Sequence, residues 1–212
     1  MNASKNRRLI VAAACVGAIA FFAVSSPAFA QFGGVFGGGS KSDGGGDPKQ
    51  IEADLKSIIE TTSEALSKLA EAMGMKEIAA KLQKNAADIK SGTVGLADST
   101  SIVSDASASV KNEMEKNQKD GIKLDSASAG IAVQAIGPGI KSFPLWVGVV
   151  NGAKSLDKFA LMSAPALVQA VQKVPTAAKN SLEMYQGGIT YLTFSGADTS
   201  SLKKQAEASL KF

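Results

Sequence analysis

From Ile51 onward, apolar residues recur in alternating steps of four and three: Leu55, Ile58, Thr62, Leu66, Leu69 and Met73, with Ile59 beside them. That spacing lays one stripe along an amphipathic helix. Asp47 supplies an N-cap, Pro48 a first helical residue, and Gly74 a stop. The pattern predicts a second helix from about Lys76 to Lys90, with Ile78, Leu82, Ala86 and Ile89 on its apolar side and Gly92 after it. The short Gly74 joint makes these two helices antiparallel neighbours. A third helix is predicted from Asp98 to about Lys119, carrying Ile102, Val103, Ala106, Val110 and Met114 and ended by Gly121. Its Ser- and Ala-rich face is narrow, so a partner helix can approach closely.

The pattern then changes. Between Ala127 and Ala153 the one charge is Lys141, and Gly137-Pro138-Gly139 and Pro144 interrupt the apolar run. Proline lacks the N–H a helix needs, which argues against a continuous membrane-crossing helix. The expectation is two short buried core helices joined at the Gly-Pro-Gly turn. The competing reading is an apolar hairpin that contacts lipid or closes over an apolar ligand. Trp146, the sole Trp, is a natural anchor beside Phe143 and Leu145. An apolar ligand site would then draw on Phe143, Leu145, Trp146, Val149, Phe159 and Met162.

Helical pieces continue from Ser155 to Met162, from Pro165 through Val174, and from Pro175 through Tyr185. Gly187-Gly188 breaks the pattern, and ITYLTF at 189–194, rich in β-branched and aromatic residues, reads as an extended piece or an irregular helix. Thr199 caps a terminal helix with Leu202, Ala206 and Leu210. The fold class is therefore all-α: a compact multi-helix bundle forming a single domain over 48–212. Amphipathic helices fill 48–120, and an apolar, core-forming half fills 121–212.

The first thirty residues have a different logic. Lys5, Arg7 and Arg8 form a positive start, Leu9 to Val24 is uncharged, and Ala28-Phe29-Ala30 gives a small-x-small cleavage pattern. Residues 1–30 thus read as a signal peptide cleaved after Ala30, which predicts a periplasmic or secreted protein. Ala13-Ala14-Cys15 has the look of a lipoprotein box, but too few apolar residues precede Cys15. Residues 31–47 contain eight glycines and read as a flexible linker. Phe32, Val35 and Phe36 sit among those glycines as tolerated apolar residues or a short sticky motif.

Cleavage changes the charge. It removes the only two Arg, the only Cys and one Lys, leaving 20 Lys against 19 Asp and Glu, a net charge of +1. With so little excess charge, no nucleic-acid partner is expected. The mature chain also holds no His. Without imidazole or thiolate there is no Ser–His–Asp or Cys–His catalysis, no disulfide and no His/Cys zinc site. The remaining candidates are weak. Glu113 and Glu115 point to different sides of a helix and sit among Lys111, Lys116 and Lys119, and Ser91 beside Lys90 is one of many Ser–Lys neighbours. No phosphate loop or calcium loop is present. The chain is therefore expected not to be an enzyme and to need no cofactor. An enzyme using carboxylate or Ser/Lys chemistry is the remote alternative.

In plan, with a leader, a Gly-rich linker, an Ala/Lys-rich amphipathic pair and a Pro-punctuated apolar half, the chain resembles uncharacterised small exported helical proteins of Gram-negative bacteria. The resemblance covers most of the mature chain. It implies a helical fold and an envelope location, and carries over no functional residue. The functional expectation is a non-enzymatic helical protein acting by binding or assembly in the cell envelope, through a protein partner or self-association. The alternative is a periplasmic carrier of an apolar small molecule or lipid, with an apolar ligand or a membrane surface as its partner.

Overall fold

Asp47 begins the first helix through its side chain, which accepts from the Lys49 N–H at 3.0 Å, and Pro48 follows where an unpaired N–H would otherwise stand. A computed structural model describes residues 47–156 and 164–210, and every described residue in a helix belongs to one of six: α1 (Pro48–Ala72), α2 (Lys76–Ser91), α3 (Leu96–Lys119), α4 (Ser126–Lys154), α5 (Pro165–Phe194) and α6 (Ser200–Ser209). The described residues contain no strand and lie in one compact unit. The fold is an all-α helical bundle. The leader, the Gly-rich segment up to Gly46, and the helix expected over 155–162 beyond Leu156 lie outside the described residues.

The predicted stripe of α1 is its buried face: Leu55, Ile58, Ile59, Thr62 and Leu66 have no exposed surface. Gly74, at φ +76°, reverses the chain, and the Met75 N–H donates back to the Ala70 carbonyl at 2.8 Å. Helix α2 then returns antiparallel along α1. Ser67 donates to the Ala79 carbonyl (3.1 Å), Asn85 to the Ser63 hydroxyl (3.0 Å), and Lys90 pairs with Glu60 (3.1 Å).

Helix α3 starts at Leu96, two residues before the predicted start, and its small-residue face meets α5 in the most extensive helix pair of the bundle. The two run parallel. Ala97 is met by Lys173, Ser104 by Asn180 (2.9 Å), Ser107 by Ser181 (3.4 Å) and Lys111 by Glu183 (3.2 Å). Hydroxyls and alanines let the backbones come close, and the hydroxyls pair across the seam.

Two expectations about the apolar half are corrected. Residues 126–154 form one helix with Pro138 and Pro144 inside it, where two helices around a Gly-Pro-Gly turn were expected. Residues 165–194 likewise form one helix, running through Pro175, Gly187-Gly188 and the whole of ITYLTF. Each interior proline removes one hydrogen bond and crowds the preceding turn, a cost of about 3 kcal/mol. Against that, α4 buries Ile136, Ile140, Phe143, Trp146 and Val149 at 0–1% exposure. Each large side chain buried contributes roughly 1.5–3 kcal/mol, so packing wins.

The glycines serve that packing. A Cβ at Gly139 would fall on the Tyr185 hydroxyl and ring, and one at Gly188 would lie 2.6 Å from Ile136 Cδ1. Glycine here is what lets α4 and α5, antiparallel to each other, touch backbone to ring. In 189–194 the β-branched residues cost only tenths of a kcal/mol each as helix formers, while Tyr191 and Leu192 are buried. At the end, Thr199 precedes α6 as predicted, but its hydroxyl pairs with Thr193 at 2.8 Å and does not cap.

Candidate functional site

Of the six residues proposed for an apolar site, Phe143, Trp146 and Val149 lie on the inner face of α4 within the core, at 0%, 0% and 1% exposure. Leu145 is half-buried on the same helix. Phe159 and Met162 lie outside the described residues. The described residues include two shallow depressions. One, of about 460 Å³, runs between α1 and α2 and is lined by Glu60, Glu64, Lys68, Gln83 and Lys90. The other, of about 140 Å³, lies between Val150, Ala153, Lys154, Val171 and Pro175. Neither is walled by Phe143, Leu145, Trp146 or Val149.

The core around Trp146 is not wholly apolar. Trp146 Nε1 has no hydrogen-bond partner among the described residues, and the buried Tyr185 and Thr62 hydroxyls neighbour each other without a well-formed hydrogen bond. Burial raises the Tyr185 phenol far above its ordinary pKa, with the neighbouring Thr62 hydroxyl acting weakly in the opposite direction. Tyr185 therefore stays neutral at any physiological pH.

The residues considered for chemistry are committed elsewhere. Glu115 pairs with Lys111 at 3.3 Å and Glu113 with Lys116 at 3.5 Å. The Ser91 hydroxyl donates to the Asp88 carbonyl at 3.1 Å, while the amine of Lys90 is held by Glu60. That bond to Glu60, then its charge, raises the Lys90 pKa; Lys111 is raised in the same way by Glu183 and then Glu115. Among the described residues no three of His, Cys, Asp or Glu cluster as metal ligands, and no helix is long and apolar enough to cross a membrane.

What the one-dimensional pattern did not separate is the outer face of α4. Every ion pair among the described residues involves α1, α2, α3 or α5. On α4, by contrast, the exposed positions are Ala127, Gly130, Ile131, Gln134, Pro138, Lys141, Gly148 and Asn151 between the end residues, with Val133, Pro144, Leu145 and Val147 half-buried. Ile131 is 49% exposed, one of two exposed large apolar residues among the described ones; the other, Ile122, stands just ahead of the same helix at 51%. Lys141 is exposed and has no carboxylate within ion-pair distance among the described residues. The signal available in the sequence was the charge-free run itself. That run fits buried core helices and an apolar surface segment equally, because a stripe of small apolar residues looks alike whether it faces core or water.

No protein-family model, no curated protein and no solved structure matches this chain.

Proposed function

We propose that this is a non-enzymatic helical protein, exported to the cell envelope, that acts by binding another macromolecule or by assembling with itself. The observation that carries the reading is the outer face of α4. A helix of 29 residues spends one side on the core and leaves the other nearly without charge, whereas α1, α2, α3 and α5 carry ion pairs. An outward apolar face of this kind is a common mark of an interaction site.

The test is native mass spectrometry of the chain beginning at Gln31, with N-terminal sequencing of the exported product. Subunit association or a co-purified protein supports the reading. A bare monomer over the whole accessible concentration range, retaining nothing, counts against it. A retained apolar small molecule or lipid would replace it with the carrier reading. An N-terminus other than Gln31, or a lipidated Cys15, would remove the envelope part as framed here.

A further inference from the structure

Helix α6 is attached unlike the rest. Each of α1 to α5 buries five or more residues, whereas α6 buries Leu202 alone. Ala206 and Leu210 follow Leu202 in steps of four along the same face but are only partly buried. Among the described residues no ion pair and no hydrogen bond joins Ser200–Ser209 to another helix; the Gln205 amide donates to Ser201 within α6 itself (3.3 Å). Docking also has a cost. Gln205 Oε1 is buried without a hydrogen-bond partner, 3.5 Å from where a Cβ of Gly137 on α4 would stand. A helix of ten residues does not persist in water on its own preference.

The chain just ahead of α6 is held firmly. Tyr191 donates to the Ile122 carbonyl (3.2 Å), and the Ser195 hydroxyl accepts from the Leu124 N–H (3.2 Å). Gly196, at φ +88°, lets the Ala197 N–H donate back to the Leu192 carbonyl (3.0 Å). The end of α5 is thus closed without help from α6. Past it, the paired Thr193 and Thr199 hydroxyls (2.8 Å) and the Leu202 side chain tie α6 down. We infer that α6 is a detachable strap. It lifts from α4 as one unit, about residues 197–198, while α1 to α5 stay folded, and so uncovers α4 at Gly137. Proteins open in contiguous units whose stabilities follow what each unit buries, and α6 buries the least. Gly137 is buried in the closed chain, with Leu202 Cδ2 lying 3.7 Å from its Cβ position, so the strap controls access to this part of the helix. The inference goes beyond the binding reading above and does not depend on it.

Residue-resolved amide hydrogen exchange on the chain from Gln31 tests the strap. Amides of residues 203–209 should share one protection level, at least about 100-fold below that of the core amides of α1 and α5. Leu202→Ala should lower that level by at least about a further tenfold, with α1 and α5 unmoved. Gln205→Leu, which removes the unpaired oxygen, should raise it by about threefold to tenfold. Protection that falls gradually toward Ser209 would show end fraying in place of a unit. Protection equal to that of the core would show that α6 opens only with the whole fold. Either result overturns the inference, as would a Leu202→Ala variant in which α1 and α5 lose as much protection as α6. A thiol reads the uncovering. Gly137→Cys places the only cysteine of the chain from Gln31 beneath α6. It should react slowly with a maleimide, and at least about tenfold faster when combined with Leu202→Ala; Ile131→Cys should react fast in both backgrounds. Equal rates at position 137 would mean that lifting α6 does not bare α4 there, and would also overturn the inference. None of these readouts involves a partner, so their failure leaves the binding reading in place.

Discussion

Helices α1 and α4 lie against each other, Ile51 packing on Gly152, and each gives one face to the same core. Their other faces differ. Helix α1 turns outward Lys56, Glu64, Lys68 and Glu71, with Glu52 and Lys56 paired at 2.7 Å, as a solvated helix does. Helix α4 turns outward Ile131, Pro138, Gly148, Lys141 and Lys154, and neither lysine has an ion pair among the described residues. The inner faces differ as well. The apolar side chains of α1 arrive on a chain with good helix formers between them. Those of α4 arrive on a chain with two prolines and five glycines between Ser126 and Lys154. Helix α1 is thus favoured by local preference and packing together, whereas α4 depends on packing alone.

The largest test of that difference is the inner face of α4. Trp146→Ala should cost about 3–5 kcal/mol in urea unfolding, the range for removing a large buried aromatic. Wild-type tryptophan emission should not move when lipid is added. A loss below about 1 kcal/mol, with a blue shift on adding lipid, would mean that α4 turns Trp146 toward a ligand or membrane.

Gly139→Ala comes next. In an ordinary helix this exchange stabilises by roughly 0.5–1 kcal/mol. Here the new methyl meets the Tyr185 ring and hydroxyl, so a loss of about 1–3 kcal/mol is expected. Tyr185→Phe alone should be nearly neutral, because the hydroxyl it removes makes no well-formed hydrogen bond among the described residues. In the double variant it should return part of the loss. A stabilising Gly139→Ala would show that α4 and α5 do not touch there.

The pH dependence sharpens the same contact. The folded pKa of Tyr185 lies above its unfolded value of about 10. The folded state therefore holds this proton more firmly than the unfolded state. Stability should be level up to about pH 10 and fall above it as the unfolded phenol ionises. The raised pKa values of Lys90 and Lys111 act in the same direction. Urea midpoints at pH 8 and pH 11 measure the fall, which Tyr185→Phe should make shallower. An unchanged fall in that variant would place the alkaline sensitivity in Tyr191, whose phenol burial also raises, or in the lysines.

The smallest effect is expected outside. Ile131→Ser should shift stability by no more than about 0.5 kcal/mol, as for other surface changes. A loss beyond 1 kcal/mol would mean that another part of the chain already covers this face.

The N-terminal half was legible residue by residue. The α1 stripe, the caps at Asp47 and Gly74, and the turn into α2 are local events, decided by side chains within a few positions of each other. The sequence also marked Trp146, beside Phe143 and Leu145, as an apolar anchor, without separating Leu145 from the face that Phe143, Trp146 and Val149 share. The continuity of α4 and α5 was decided only by the tertiary structure. Pro138, Pro175 and Gly187-Gly188 are local penalties, and whether they end a helix depends on what the rest of that helix buries. That sum includes Tyr185 over Gly139, Ile136 over Gly188, and Leu202 beside Gly137, contacts between residues far apart in the chain. The same holds for the face that now matters most. The sequence determined that α4 would be apolar; only the placement of α1, α5 and α6 around it decided which side of the helix meets the core and which faces outward.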